Sequence, residues 1–186
     1  MRIDLVPEVE VIPAQRALYD AFAKRIRTNY RAFKTMRDDG ALLGPWSVWL
    51  QVPKTGEAIR QFIEAVEAMP GLSKIAVQAV ILVTGAHFNA AYEIYAHGAV
   101  GAQVGLSDNQ ISTLSAGEIP ADLDAESTLA AQVASRLVKG GVLPGPLFKR
   151  AVSGLGLDGF NHVVFLVGQY CLVSMTLNAF DIPAEE

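Results

Sequence analysis

Apolar residues recur at helical spacing along almost the whole chain, and the alternating pattern typical of β-strands is nearly absent. Glycine and proline pairs, such as Pro70-Gly71 and Gly140-Gly141, interrupt the helical stretches. A chain of this kind has to bury its apolar helix faces against one another. We therefore predict an all-α fold of about eight helices.

Several helix boundaries are marked by cap residues. Ser73 and Asp124 are predicted N-caps, and Ser107 opens a predicted capping box. Gly105 is placed as the glycine that ends a helix, and Asp158 as the cap of the last helix. Together with the glycine and proline stops, these residues set the predicted bounds.

The predicted helices leave one segment open. Segment 41–52 is apolar and irregular, so a short helix and a packed loop both fit it. The first helix begins at Pro13, because proline is favoured in a first turn. This helix runs through Phe22 and stops before Asp38-Asp39-Gly40. The other predicted ranges are 56–69, 74–87, 89–104, 107–114, 124–139, 144–154 and 158–179.

The composition bounds the organisation and the partners. The 186 residues suit one domain, which we divide into an N-terminal helical arm (1–40) and a helical domain (41–186). Apolar residues make up 51% and charged residues 18%, and this surplus predicts a homo-oligomer. A net charge of −4 argues against a nucleic-acid partner. The basic stretch within 16–37 is interpreted as a solvated helix face.

Location is predicted from the ends and from the apolar runs. The start has an early acid and no apolar core of a signal peptide, so the cytoplasm is expected. Segment 160–177 is long enough to consider as a membrane span, but its four polar residues favour a buried helix and no membrane partner. A single cysteine, Cys171, permits no internal disulfide and no Cys-x-x-Cys site.

The main candidate for chemistry is the pair formed by Glu93 and His97. Residues four apart lie on one helix face, so a carboxylate and an imidazole can touch in a run that carries almost no other charge. Such a pair can hold one mobile proton near neutral pH, as general acid–base catalysis requires. A structural ion pair between helices or subunits is the alternative.

Other site types have weaker support. A metal would need a third ligand beside the pair, and His87 and His162 are not positioned for it by spacing, so no metal is predicted. No P-loop, dinucleotide fingerprint or serine elbow is present, and no cofactor is predicted. The aromatic residues near the pair suit core packing or a pocket wall. They are Trp46, Trp49, Phe88, Tyr92 and Tyr95.

Four segments in order resemble the carboxymuconolactone decarboxylase family, the group that includes alkylhydroperoxidase D. The resemblance covers about 40–183. The segments are Gly44-Pro45-Trp46 with Leu50-Gln51-Val52-Pro53, Leu72-Ser73-Lys74 with 77–82, Ala90-Ala91-Tyr92-Glu93-Ile94-Tyr95-Ala96-His97 with Gly105-Leu106-Ser107, and 166–170 with 175–180.

The chain departs from the family pattern in two respects. The peroxidase branch has C-x-x-C-x-x-x-H, whereas this chain has Ala90, Glu93 and His97 at those positions, so thiol-based peroxide reduction is ranked last. The relay glutamate of the preceding helix is replaced by Gln78, and an amide cannot pass a proton as a carboxylate does.

The resemblance implies a helical trimer or hexamer, with a dimer also possible, and a site for a small carboxylated or lactone ring. Under this hypothesis His97 donates the proton, while Glu93 orients it. Substrate contacts are predicted from Tyr92, Tyr95, Gln78 and Trp46, with Arg60 or Lys74 drawing in carboxylates. A non-catalytic oligomer or small-molecule binder of the same fold is the competing hypothesis.

Overall fold

The computed structural model describes residues 1–184, and this part of the chain forms eight α-helices and no β-strand. The all-α prediction is therefore confirmed. A single 3-10 turn at Glu8–Glu10 precedes the first helix. The helices are α1 (Pro13–Asn29), α2 (Pro45–Leu50), α3 (Pro53–Glu67), α4 (Lys74–His87), α5 (Ala91–Val104), α6 (Asp108–Ser115), α7 (Ala125–Val138) and α8 (Gly145–Ala179).

The predicted caps at α4, α6 and α7 are present. Ser73 and Asp124 each accept a hydrogen bond from the backbone N–H three residues later, at 3.2 and 2.9 Å. Ser107 and Gln110 form the reciprocal capping box, at 3.2 and 3.0 Å. Gly105 ends α5 with a φ of 109°, a value that glycine adopts without strain. These local signals fix the helix ends that surround the candidate site.

The structure supplies the end of one helix and moves the start of another. Helix α1 continues to Asn29, because Ala23 and Ile26 keep one face buried beyond Phe22, the last residue that the prediction names in this helix. Helix α3 begins at Pro53, three residues earlier than predicted, with the proline in its first turn.

Segment 41–52 contains the short helix α2, whose six residues are all buried. Gly44 precedes it with a φ of 66°, and an added Cβ there would lie 2.5 Å from the Tyr92 ring. Glycine is thus required twice at this position, once by the backbone angle and once by the neighbouring ring.

Helix α8 corrects one predicted cap. Gly156 has φ 70° and ψ 172° inside it, so two helical segments meet there. The predicted break is near this point, but Asp158 lies inside the second segment and is not its cap. The turn occurs at Gly156 because glycine reaches a positive φ at little cost.

Helix α4 is the central element and packs against α5, α6, α7 and α8. Residues 78–85 of α4 are all buried. Helix α1 contributes Leu18, Tyr19 and Phe22 to the same hydrophobic core. The division at residue 40 stays a prediction, and the arm packs on its own chain.

Helix α8 is the one helix within residues 1–184 that is long and apolar enough to cross a membrane by length and composition. A buried core helix passes the same test, and α8 packs one face against α4 and α7. Its other face leaves Leu157, Phe165 and Met175 between 50% and 60% exposed. An apolar stripe therefore lies uncovered along this helix.

Candidate active site

Glu93 and His97 are in contact on α5. Nε2 of His97 lies 3.2 Å from Oε1 of Glu93, and Glu93 is 3% exposed. The approach is close, but its direction is not that of a hydrogen bond, and Oε1 has no hydrogen-bond partner within residues 1–184. One carboxyl oxygen therefore remains available to a third group.

Burial moves the pKa values of the two groups in opposite directions. It raises the pKa of Glu93 from 4.5 to about 8 and lowers that of His97 from 6.5 to about 3, since desolvation penalises whichever form is charged. The separation of 3.2 Å would suit an ion pair, but two buried charges are costly here. We favour a neutral pair at pH 7, with the proton on Glu93.

Gln78 of α4 fixes the tautomer of His97. Its Oε1 lies 2.7 Å from Nδ1 of His97. An amide oxygen accepts but does not donate, so Nδ1 carries the hydrogen and donates it. Nε2 is then the lone-pair nitrogen, and it faces Glu93. The arrangement presents a base nitrogen beside a protonated carboxyl.

Glu93 and His97 line a cavity of about 40 Å³, which we call the first cavity. This volume is space for about three water molecules, so a bound ring requires the cavity walls to move apart. Seven of its sixteen lining residues are aromatic, so its walls are largely apolar. They are Phe22, Tyr30, Phe33, Trp46, Trp49, Tyr92 and Tyr170.

A second cavity of about 340 Å³ lies on the other side of His97. Gln78 lines this second cavity and not the first, whereas Glu93 lines the first and not the second. The imidazole thus separates them, with Nε2 toward the first cavity and Nδ1 toward the second. The residues that line both are Tyr30, His97, Gln169 and Tyr170.

The predicted substrate residues are divided among different positions. Trp46 and Tyr92 line the first cavity, and Gln78 lines the second. Tyr95 lines neither, because its hydroxyl accepts a bond from the backbone N–H of Lys34 at 3.2 Å. Tyr92 donates to the Lys34 carbonyl at 3.4 Å. Both hydroxyls therefore hold the segment after α1 in place.

The predicted cations are also separated. Arg60 lines the first cavity and Lys74 lines the second. The Arg60 guanidinium is held by Glu57, at 2.7 and 2.8 Å, and by Glu64, at 2.5 Å. It is therefore already neutralised and is a poor anchor for a substrate carboxylate.

Arg25 is a cavity residue that the sequence interpretation missed. It was placed on a solvated face, but its side chain is 13% exposed and lines the first cavity. It is paired with Glu67, lies 3.8 Å from Glu64, and donates to the hydroxyl of Tyr30 at 3.2 Å. The apolar residues around it on α1 gave a partial signal of burial.

Gln169 and Tyr170 of α8 are further cavity residues. Gln169 is 2% exposed and lines both cavities. No local pattern links either residue to α5, since 72 or more positions separate them from His97. The resemblance did cover this closing segment.

Metal and thiol chemistry find no support in the described residues. Within residues 1–184, no group of three or more His, Cys, Asp or Glu side chains is placed to hold a metal. Cys171 is half-buried, lines neither cavity, and burial raises the pKa of its thiol. A thiolate nucleophile at this residue is therefore disfavoured.

The structure resembles solved proteins at low sequence identity. An alkylhydroperoxidase AhpD core structure, of an uncharacterized peroxidase-related protein from Ralstonia eutropha JMP134, has a TM-score of 0.80 at 12% identity and covers 100% of this chain and 92% of that one. The fold is that of the AhpD core. A peroxidase-related protein from Silicibacter sp. TM1040 has a TM-score of 0.73 at 12% identity, covering 99% and 91%.

Another AhpD-like neighbour is an enzyme with a ligand. A variant of the debrominase Bmp8 in complex with 2,3,4-tribromopyrrole has a TM-score of 0.72 at 9% identity, covering 100% of this chain and 93% of that one. The sequence itself matches no protein-family model and no curated protein. Likeness at these identities establishes the fold alone.

Proposed function

We propose that this AhpD-like protein is an enzyme that moves a proton on a small ring compound bound in the first cavity. The observation that carries the proposal is the contact between Glu93 and His97 at the wall of the first cavity. A buried carboxyl of raised pKa touches an imidazole of lowered pKa, and both line one cavity. A lyase or an isomerase is the reaction class that such a pair serves.

The pKa directions favour a division of roles opposite to the one expected from sequence. Glu93 holds the proton and acts as the acid, while Nε2 of His97 is the base. A C–H bond beside a ring carbonyl breaks and its proton goes to Nε2, which leaves a dienolate. Glu93 then protonates another ring carbon. A small rotation of the side chains aligns the imidazolium with the Glu93 carboxylate, 3.2 Å away, and return of the proton restores the starting state.

The finer proposal is a decarboxylation like that of carboxymuconolactone decarboxylase. Loss of carbon dioxide from a lactone acid also leaves a dienolate, and protonated Glu93 is placed to quench it. The resemblance in sequence supports this reaction, whereas the paired state of Arg25 and Arg60 weighs against a carboxylated substrate. A peroxidase of the thiol type ranks last, because neither Ala90 nor Glu93 offers a sulfur.

Isomerisation of α-angelica lactone tests the proposal. Conversion to the conjugated isomer needs the proton shift described above and is followed by ultraviolet absorbance. We expect His97→Ala and Glu93→Gln each to lower kcat/KM by about 10² to 10⁴ while both variants remain folded. Carboxymuconolactone, followed by release of carbon dioxide, tests the finer proposal.

The control is Cys171→Ser, which lies outside both cavities and is expected to retain wild-type turnover. Turnover that survives loss of both Glu93 and His97 would contradict the proposal. Folded wild type that turns over neither lactone, while still binding ring compounds, would favour the non-catalytic binder.

A further inference from the structure

Three polar atoms without partners occur on residues that line the first cavity. They are Nε1 of Trp49, Oε1 of Glu93 and Oε1 of Gln169, and their residues are each 3% exposed or less. Buried polar groups in native proteins are nearly always hydrogen-bonded, so each exception needs an explanation. Three exceptions around one cavity point to a ligand that supplies the missing bonds.

The chemistry of these atoms specifies what the ligand must offer. The indole N–H of Trp49 donates only, so it needs an acceptor. The amide oxygen of Gln169 accepts only, so it needs a donor. Protonated Glu93 donates through its carboxyl to a further acceptor, and the aromatic walls favour a flat apolar body. The ligand is therefore a ring that carries both an acceptor and a donor.

The charged side chains near the first cavity indicate whether the site favours a charged or an uncharged ligand. The two guanidinium groups that line it, from Arg25 and Arg60, are paired with three carboxylates, from Glu57, Glu64 and Glu67. This set carries a net charge of −1, so a bound anion would meet no uncompensated cation. Taking a carboxylate out of water without such a partner is unfavourable.

We infer that the first cavity binds one uncharged ring compound that both accepts and donates hydrogen bonds, and that it discriminates against carboxylates. This inference rests on the proposed function in assigning the substrate class of the same site. It narrows that class, since it favours neutral lactones, lactams or hydroxylated rings over the acids of the decarboxylase reaction.

Benzamide and benzoate form a matched probe pair, because they share shape and differ in charge. Titration calorimetry of the full chain at pH 7 and low salt is expected to give a dissociation constant for benzamide at least tenfold below that for benzoate. Equal or tighter binding of benzoate overturns the inference. Absence of binding by either probe at 10 mM overturns it as well.

Two variants separate the roles of the polar atoms from general packing. Trp49→Phe removes the unpartnered N–H and is expected to weaken benzamide binding at least fivefold. Trp46→Phe is the control, since it makes the same change in the same cavity at a residue whose nitrogen is not among the three. Equal effects of the two variants contradict the role of Trp49.

A gain-of-binding variant tests the charge argument. Glu67→Gln removes the carboxylate paired with Arg25, so benzoate binding is expected to strengthen at least fivefold while benzamide binding stays unchanged. Glu118→Gln changes the net charge equally at an exposed loop and is expected to change neither.

The outcomes also distinguish this inference from the proposed function. If benzoate binds more tightly and lactone turnover still depends on His97, the proposed substrate class is wrong and the proposed proton transfer is retained. If benzamide binds more tightly and turnover does not depend on His97, the substrate class is retained and the proton transfer is wrong.

Discussion

The ring of Tyr170 stands edge-on to the imidazole of His97, with centroids 5.0 Å apart and planes at 87°. The two residues come from α8 and α5, and Gln78 of α4 holds the far edge of the imidazole at 2.7 Å. Three helices therefore fix one ring, and its nitrogens cannot exchange positions without disturbing them. Such support is what keeps a catalytic base oriented.

Replacement of Tyr170 by leucine tests this support. We expect Tyr170→Leu to lower kcat/KM for α-angelica lactone by about tenfold to a hundredfold, because the imidazole gains freedom to turn. Loss of the packed ring is also expected to cost about 1–3 kcal/mol of unfolding free energy in urea. Tyr170→Phe keeps the edge-on ring and should remain close to wild type in both measurements.

Gln78 is expected to set the hydrogen position on His97. In nitrogen-15 NMR spectra at pH 7, wild type should show the hydrogen on Nδ1 and a lone pair on Nε2. Gln78→Leu removes the acceptor and should give a mixture of tautomers, whereas Gln78→Glu should raise the pKa of His97 by placing a carboxylate beside it. Gln103→Leu, at another residue of the second cavity, is the control. Unchanged spectra for Gln78→Leu would contradict the assignment.

The two pKa shifts predict how stability depends on pH. Folded Glu93 retains its proton to about pH 8, against 4.5 unfolded, so its contribution falls as pH rises through this window. Folded His97 resists protonation down to about pH 3, against 6.5 unfolded, so its contribution rises with pH in that window. Between pH 4.5 and 6.5 the two contributions change with pH in opposite directions, so their effects on the unfolding free energy cancel.

Urea unfolding across pH checks this expectation. Relative to that of Glu93→Gln, the unfolding free energy of wild type should fall by up to about 1.4 kcal/mol per pH unit between pH 6.5 and 8. The Glu118→Gln variant makes the same change in an exposed loop outside both cavities and is the control. Parallel curves for wild type and Glu93→Gln above pH 6.5 would show that Glu93 is already ionised.

Gly44 and Gly140 separate backbone strain from steric conflict. Both have positive φ, 66° and 77°, but an added Cβ meets the Tyr92 ring at Gly44 and nothing within 4 Å at Gly140. We expect Gly140→Ala to lower the unfolding free energy by about 1 kcal/mol, and Gly44→Ala to lower it clearly more. Only Gly44→Ala displaces Tyr92, which lines the first cavity. Similar unfolding free energies for the two variants would show that the Tyr92 ring moves aside without lowering stability.

The uncovered face of α8 is proposed to join copies of this chain. No charged residue occurs between Asp158 and Asp181, and Phe165 lies midway along the face at 50% exposure. Light scattering after size-exclusion chromatography should give an oligomer for wild type and a smaller species for Phe165→Glu. Val142→Glu makes the same change in an exposed loop as control. A monomeric wild type would remove the proposal.

Most of the fold could be predicted from local features of the sequence. The caps at Ser73, Ser107 and Asp124 depend on hydrogen bonds made within three residues, so a short window of sequence contains them. The predicted cap at Asp158 was wrong, because the helix break occurs at Gly156, which has a positive φ. Asp158 lies two residues later, and its side chain is of a type that commonly caps helices.

Local spacing indicated the candidate site only along α5, whereas Trp46 and Gln78 were predicted from the family resemblance. Glu93 and His97 share a helix, so their contact follows from spacing. Arg25 and Gln169 reach the same cavity from α1 and α8, and no local pattern records that approach. The proposed division of roles depends on the degree of burial of Glu93 and His97, which the sequence does not give.

The imidazole that divides the two cavities has a consequence for isotopic labels. Gln78 cannot carry a proton away from Nδ1, so we expect hydrogen abstracted at Nε2 to leave by way of Glu93. Each turnover would then deliver to its product an atom taken from the previous substrate molecule. In a mixture of deuterated and ordinary lactone, the label should cross from one population to the other faster than it washes out into water.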